Sequence, residues 1–315
     1  ATYTPSTNWN GIDAFTYKAN DTKTNSNTGT VTITVGEVGE TIVYVHNGTS
    51  NGDGTESNPF NSFIDATNEL EEDPTTGFAT MILLPGTYTS NNIDGSGNPE
   101  IFIPAGSTNL YLKSQTGNPE DTIINADGST SAQYNWRIAG NNLKIEGITL
   151  QGLNNPSSES SYRFISADGD SLVLRNVIVQ DNEVYQSLSI IDLTGSGQLL
   201  IEDSHFENNR NPFNNSGAHI ISGGDNSTTI IRNSIFKGNV VDNSYEIFED
   251  SYIEVYDSEF YDSRHIVDSL TATNTVFWNT DFVPSSSSGY SFTRGDFTNS
   301  IFYNIAKTHK ITSNV

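Results

Sequence analysis

The sequence contains no cysteine and a single methionine in 315 residues. Without thiols there is no cysteine nucleophile, no thiolate metal site and no disulfide, so the fold must hold itself together without covalent crosslinks. That suits a large exported bacterial protein built on repetition. Basic residues are also scarce, 14 against 38 acidic ones, leaving a net charge of −24. Such a surface repels nucleic acid and anionic membranes and favours cations, calcium being the natural candidate outside the cell. The same acidity also serves solubility alone. Hydrophobic residues make up only 34% of the chain, too few for a compact α/β enzyme core, yet 10% aromatics argue against disorder. No apolar run reaches the roughly 18 residues of a membrane span, and no signal peptide opens the chain. It starts mid-pattern at Ala1 and stops at Val315 without a cap, so we expect a longer native protein or a contact at that end. A Gly-x-Ser-x-Gly elbow, a phosphate-binding Walker loop and a dinucleotide fingerprint are all missing.

What is present is alternation. Two β-branched runs, Ala14–Lys18 and Thr30–Val35, flank a polar turn-rich stretch and read as half-buried strands. Two strands cannot bury a core alone. A third strand is expected over Thr41–His46, followed by a Gly/Asn/Asp loop and one helix over about 61–72. Ser62-x-x-Asp65 has the form of a capping box, and Phe63, Ala66 and Leu70 share a helical face. Such a helix would cover the open strand edge at the start of a solenoid.

From Phe78 onward the chain repeats. One register aligns Gly147, Asn176, Asp203, Asn233, Asp257, Asn274 and Asn299 in a column. Three residues later stand Leu150, Val179, Phe206, Phe236, Phe260, Phe277 and Phe302. The steps vary from 17 residues (Phe260 to Phe277) to 30 (Phe206 to Phe236), which excludes strict repeats such as TPR or ankyrin. In "SLVLRN" the period of two sends Leu172 and Leu174 inward and Val173 and Arg175 outward. The chain then bends at the Asn/Asp column and re-enters the core at the Phe column. Phenylalanines stacked at about 4.8 Å would form a continuous aromatic core, and the Asn/Asp column is expected to be a buried amide ladder bonding neighbouring turns.

Two resemblances follow from these residues. Tyr3-Thr4-Pro5, Asn8 through Gly11, Asp13 through Tyr17 and Thr30–Val35 resemble the C-terminal part of cadherin-like, immunoglobulin-type repeats of bacterial surface proteins. The hydrophobic-x-[Asn/Asp]-Ser-x-Phe-x-x-Asn pattern is similar to the right-handed β-helix superfamily, closest to the polymorphic outer-membrane-type and pectate-lyase-like repeats. Phe206-Glu-Asn-Asn209 and Phe236-Lys-Gly-Asn239 match the Phe-x-x-Asn element, while the Gly-Gly-Ala element is approached only by Gly223-Gly224. The expected fold class is therefore all-β: a right-handed parallel β-helix over 40–315 with an N-terminal capping helix, preceded by a partial β-sandwich-type segment over 1–39.

Chemistry has few candidates. The outward column Glu146, Arg175, Glu202, Arg232, Tyr256 alternates in charge, as a salt-bridge ladder would, or as a lyase would place a basic residue beside a sugar carboxylate. His46, His205, His219, His265 and His309 share no metal-ligand spacing; His205 sits in an outward column with Ile178, Ile235 and Glu259. The loops Asn51–Gly54, Asp94–Asn98 and Asp168–Asp170 carry the oxygens of a calcium loop, and Asp-Gly and Asn-Gly pairs are also ordinary turn chemistry. No catalytic or cofactor-binding residue is assigned, metal ligands stay open, and calcium is the one cofactor to consider. The primary expectation is a non-catalytic, extracellular structural or adhesive module of a bacterial surface protein. Its partners would be copies of itself, met through the apolar outward residues Ile178, Ile235, Val276 and Ile301, or a glycan. The alternative is a polysaccharide lyase of the β-helix class, with Trp136, Trp278, Tyr261 and Tyr303 stacking on sugars. The lack of an unpaired Lys/Arg cluster speaks against it.

Overall fold

A computed structural model of the protein describes residues 11–18, 23, 26–35, 40–48, 50–72, 78–89, 100–102, 109–126, 137–140, 142–154, 164–167, 171–184, 189–193, 197–211, 219–241, 247–263, 269–280 and 294–305. Tyr3–Pro5, Asn8–Asn10, Trp136, His265, His309, the loops at Asp94–Asn98 and Asp168–Asp170, and the chain beyond Ile305 lie outside the described residues.

Strands Gly11–Tyr17 and Gly29–Val35 form an antiparallel pair, in register from Gly11 opposite Val35 to Tyr17 opposite Gly29. Phe15 and Tyr17 are exposed on it, so the pair buries little by itself. The next strand, Glu40–Val45, opens the solenoid. From there on every strand ladder among the described residues is parallel.

Among the described residues the solenoid has three main ladders around one core, with a short further pair, Arg210–Asn211 and Val240–Val241, past the second. The first runs through Glu40–Val45, Phe78–Leu83, Asn109–Ser114, Asn142–Glu146, Ser171–Arg175 and Gln198–Glu202. It continues through the ends of Ile221–Arg232 and Phe248–Tyr256 to Ser269–Thr273 and Arg294–Thr298. The second ladder consists of short strands, from Gly86–Tyr88 through Thr149–Gln151, Ile178–Gln180, His205–Glu207 and Ile235–Lys237 to Ile301–Tyr303. The third passes through Glu100–Phe102, Arg137–Gly140, Ile165–Ala167 and Ile191–Leu193 into the start of Ile221–Arg232. The long strands Ile221–Arg232 and Phe248–Tyr256 therefore join the first and third ladders into one sheet. This is a parallel β-helix.

Alternation fills the interior as the sequence leads one to expect. Leu172 and Leu174 are fully buried, with Leu199 and Ile201 beside them in the next rung. The aromatic column is present: Phe206, Phe236, Phe260, Phe277 and Phe302 stack face to face with centroids 4.7, 4.9, 5.2 and 5.1 Å apart. Those spacings match the separation of hydrogen-bonded strands, so strand pairing itself sets the stacking distance. Leu150, Val179, Ile124 and Tyr88 extend the column toward the N-terminus, each fully buried. Burial pushes the Tyr88 phenol far above its usual pKa, against the bond it donates to Leu84 O at 2.7 Å. At neutral pH it is a neutral strut in the core.

The capping helix spans Phe63–Glu72 and buries Phe63, Ala66 and Leu70, with Phe63 stacked on Tyr88 at 5.6 Å. Ser62 Oγ accepts from the backbone N–H of Ile64 and Asp65 at 3.1 and 3.3 Å, as an N-cap does. The other arm of the expected box turns elsewhere: the Asp65 carboxylate accepts from Asn51 Nδ2 at 2.8 Å, tying the preceding loop to the helix.

Candidate functional site

Both ends of the second-ladder strands carry polar side chains that bond from rung to rung. Gly147, Asn176, Asp203, Asn233, Asp257, Asn274 and Asn299 all have positive φ, between 46° and 68°. Five residues on, Gly152, Asp181, Asn208, Gly238, Asp262, Asn279 and Asn304 do the same, between 47° and 74°. Left-handed backbone suits Gly, Asn and Asp, so the column's composition follows from its conformation. Its side chains, however, lie outside. The expected buried amide ladder is not at this bend, because a left-handed corner residue points its Cβ away from the core. Asn274 Nδ2 donates to Asp257 Oδ1 at 2.9 Å and Asn299 Nδ2 to Asn274 Oδ1 at 2.7 Å, both exposed. One amide does reach backbone, Asn176 Nδ2 to Gly117 O at 2.6 Å.

The buried amides stand one residue past the second corner. Asn182, Asn209 and Asn239 are fully buried. Each donates to the carbonyl of the second-ladder residue in the rung before it: Leu150 at 3.1 Å, Val179 at 2.7 Å and Phe206 at 2.8 Å. Asn182 and Asn209 also donate to the amide oxygen of the next rung, both at 3.0 Å. At the first corner a hydroxyl column, Ser204, Ser234 and Ser258, donates to the carbonyls of Glu202, Arg232 and Tyr256, each at 2.7 Å. Ser204, Ser234 and Ser258 accept in turn from the backbone N–H of Val177, Ser204 and Ser234, leaving these polar groups engaged within the stack.

The alternating column forms as a column, with Glu146, Arg175, Glu202, Arg232 and Tyr256 in consecutive register. The continuous salt-bridge ladder does not. Arg175 binds Glu202 through Nη2 at 2.7 Å and Nε at 2.8 Å. Glu146 takes Lys144 at 2.9 Å and the Tyr111 hydroxyl at 2.7 Å. Partial burial raises the Glu146 pKa, but these two bonds, with the charges of Lys144 and Arg175, outweigh it and leave the carboxyl below its usual value. Arg232 lies over the ring of Tyr256, 5.6 Å from its centre, rather than on a carboxylate among the described residues. Side-chain length explains the break: a guanidinium can satisfy itself on one neighbouring rung, so alternation need not propagate.

The same face brings two lysines together, though not as an unpaired cluster, since Glu146 holds Lys144 at 2.9 Å. Lys144 and Lys113 lie 4.0 and 5.0 Å from the centre of the Tyr111 ring. Sequence reasoning missed this grouping because Tyr111 and Lys144, which meet across one rung, stand 33 positions apart in the sequence. Only the Tyr111-x-Lys113 spacing, two outward residues on one strand, was there to be read.

On the second ladder, His205 sits between Ile178 and Ile235 with Glu259 beyond, as expected, its Nε2 3.6 Å from Glu207. Lys237 holds the same carboxylate at 2.8 Å and lowers its pKa. Tyr261, Trp278 and Tyr303 share an outward column. Trp278 and Tyr303 stack on each other at 3.9 Å, so one face of each ring is already occupied. They remain 44% and 53% exposed, beside Ile301 at 60%. Of the four apolar outward residues, Ile235 and Ile301 are exposed and Ile178 and Val276 half-buried.

The Asn51–Gly54 loop is a closed turn. Asp53 Oδ1 accepts from Thr55 Oγ1 at 2.8 Å and from its N–H at 3.2 Å, which lowers the Asp53 pKa. A Cβ on Gly52 would stand 2.1 Å from Asn58 O. Glycine is needed there for the loop's own closure. Among the described residues no group of three His, Asp or Glu side chains is placed to share a metal ion. His219 is buried beside the third ladder, where Ser166, Asp192 and Ser222 form a buried column of outward residues in register. That polar column was not foreseen, since three-residue strands between long loops leave little periodicity to read. An open depression of about 440 Å³ lies by the second corner, lined by Asn154, Asp181, Glu183, Asn208 and Arg210 among others, with Arg210 Nε on Glu183 at 2.9 Å. Among the described residues no helix is long and apolar enough to cross a membrane.

Residues 1–34 match the family model described as a bacterial Ig domain. No curated protein matches the sequence. Among solved structures the chain is similar to a rhamnogalacturonan lyase, at 13% identity over 86% of this chain and 84% of that one, TM-score 0.45. It is also similar to the Azotobacter vinelandii mannuronan C-5 epimerase AlgE4 A-module, at 12% identity over 86% of this chain and 99% of that one, TM-score 0.24. Likenesses of this size leave the chemistry to the residues themselves. The described residues from Glu40 onward form a parallel β-helix, led by a segment that matches the bacterial Ig domain model.

Proposed function

We propose that the chain is a non-catalytic structural or adhesive module of an extracellular bacterial surface protein. In this reading residues 1–39 are the end of an immunoglobulin-type repeat and residues 40–315 a stalk or binding solenoid. The observation that carries it is the closure of the polar columns upon themselves. Asn182, Asn209 and Asn239 and the serines at Ser204, Ser234 and Ser258 spend their hydrogen bonds on neighbouring rungs. Three pKa shifts have equally local causes: Glu207 answers to Lys237, and Tyr256 and Tyr261 are raised by bonds to Glu254 and Glu259 two residues back. A general acid or base usually has its pKa set by burial or a charge partner within a cleft. Here the shifts belong to the ladders.

A second reading, a polysaccharide lyase, is favoured by the convergence of Lys113 and Lys144 on Tyr111. Proton abstraction beside a sugar carboxylate needs a base and a cation to steady the developing charge. The experiment is to offer purified protein acidic and neutral polysaccharides, with and without calcium, and to record binding and new unsaturated or reducing ends. Binding, or inertness, without cleavage is expected. Cleavage abolished by Lys113→Ala or Lys144→Ala would replace the first reading with the second.

A further inference from the structure

The outward face of the first ladder has three parallel columns. The one nearest the first corner runs Glu146, Arg175, Glu202, Arg232 over four consecutive rungs. Beside it, in the same rungs, run Lys144, Val173, Leu200 and Ile230. Val173, Leu200 and Ile230 are half-buried on the outward face of a parallel sheet. An apolar strip bordered by charge has the anatomy of an interface.

The order of charges selects the partner. Acid–base–acid–base read backward is base–acid–base–acid. A two-fold axis lying along the strand direction, between Arg175 and Glu202, reverses the rungs and keeps the columns. Every charge of the column then meets its opposite: Glu146 faces the partner's Arg232, and Arg175 faces the partner's Glu202. In the adjoining column Val173 meets the partner's Leu200. No like charges meet across these four rungs, which is unexpected for a chain of net charge −24 unless the face is matched to itself. Arg232, which lies on a tyrosine ring in its own chain, would gain a carboxylate.

We propose that a second copy of this chain docks antiparallel on this face about that two-fold axis. The face is bounded on one side, since Thr80 and Ile82, the outward residues of the rung before Tyr111, are already buried. Six rungs from Tyr111 to Tyr256, about 4.8 Å apart and five residues wide, offer roughly 500 Å² per copy. A total of about 1,000 Å² is at the low end for a specific interface, so a weak, concentration-dependent dimer is expected. This rests on the reading of the chain as a structural or adhesive module. Glycan cleavage would overturn that reading alone, and failure to dimerise would overturn this proposal alone.

Sedimentation equilibrium of the full chain over a wide concentration range is the test. We expect a monomer–dimer equilibrium weakened by salt. Arg232→Glu alone and Glu146→Arg alone should each weaken it at least tenfold, because each sets like charges against each other twice. Mixing the two variants should restore dimers, since the mixed pair recovers both opposite-charge contacts. Leu200→Glu, an outward position whose change leaves the core intact, should abolish association with the melting temperature little changed, and it serves if Glu146→Arg folds poorly. A monomer at every concentration overturns the proposal. So does a dimer indifferent to Arg232→Glu and Leu200→Glu, or a mixture that associates no better than either single variant.

Discussion

Asparagine stands on both sides of the second corner, and the two kinds do opposite work. Asn208 and Asn279 are left-handed corner residues with exposed side chains, whereas Asn209 and Asn182, each one position past a corner, are fully buried. The exposed ones are there for their backbone: a short polar side chain tolerates positive φ, and the amide-to-amide bonds between rungs are an addition screened by water. The buried ones are there for their side chain. Each answers a backbone carbonyl that the sharp corner removes from the regular ladder, as Asn209 does for Val179 O. In the later rungs hydroxyls take over, Ser263 and Thr280 reaching the carbonyls of Phe236 and Phe260 at 3.5 and 3.3 Å. Residue type alone therefore says little at such a corner. Whether backbone or side chain is being used decides the cost of losing it.

Substitutions can break that contrast. The largest effect is expected from Asn209→Leu, which strands Val179 O and one N–H of Asn182 in the core and costs about 2–4 kcal/mol. Urea denaturation measures it, and a loss below about 1 kcal/mol would show that the buried amides are dispensable. Next comes Gly147→Asn. Its column is otherwise Asn and Asp, so backbone preference alone predicts tolerance. A Cβ there would stand 2.5 Å from Ser114 Oγ, so we expect a cost of about 1–3 kcal/mol in a thermal melt. Asn233→Ala, at an exposed corner, should cost about 1 kcal/mol, with Asn233→Gly recovering most of it. The smallest effect belongs to pH. The folded-state pKa of Glu146 is lowered, so its contribution is present above the ordinary carboxylate value and fades as pH falls through the folded value. Glu146→Gln should flatten the acid limb of stability slightly; an unchanged limb would show that Tyr111 and Lys144 do not favour the charged form.

The sequence makes the core readable because core residues are chosen by period and size. Phe206, Phe236, Phe260 and Phe277 could be aligned across steps of any length, and strand pairing then fixed their stacking. Corner residues could be aligned too, but not oriented. Asn233 at the first corner and Asn239 past the second are both asparagines beside the same strand, and only φ separates the exposed one from the buried one. The grouping of Lys113 and Lys144 about Tyr111 was hidden for another reason. It depends on which strand lies next to which across a connection of variable length, information carried by no local pattern. Whether Arg175 binds Glu202 or Glu146 was equally beyond reach, since rotamer choice decides it.

The two left-handed corners stand five residues apart in every rung in which both occur, from Gly147 and Gly152 to Asn299 and Asn304. From Gly147 onward the irregularity in repeat length is therefore absorbed elsewhere, between the second corner and the next first-ladder strand. Over evolutionary time insertions and deletions can accumulate on that side of the molecule without disturbing the spine. A foreign peptide grafted between Asn211 and His219 should likewise leave the stacking of Phe206 on Phe236 untouched. The fold is a backbone for variation, with one edge held constant so that the other can diverge.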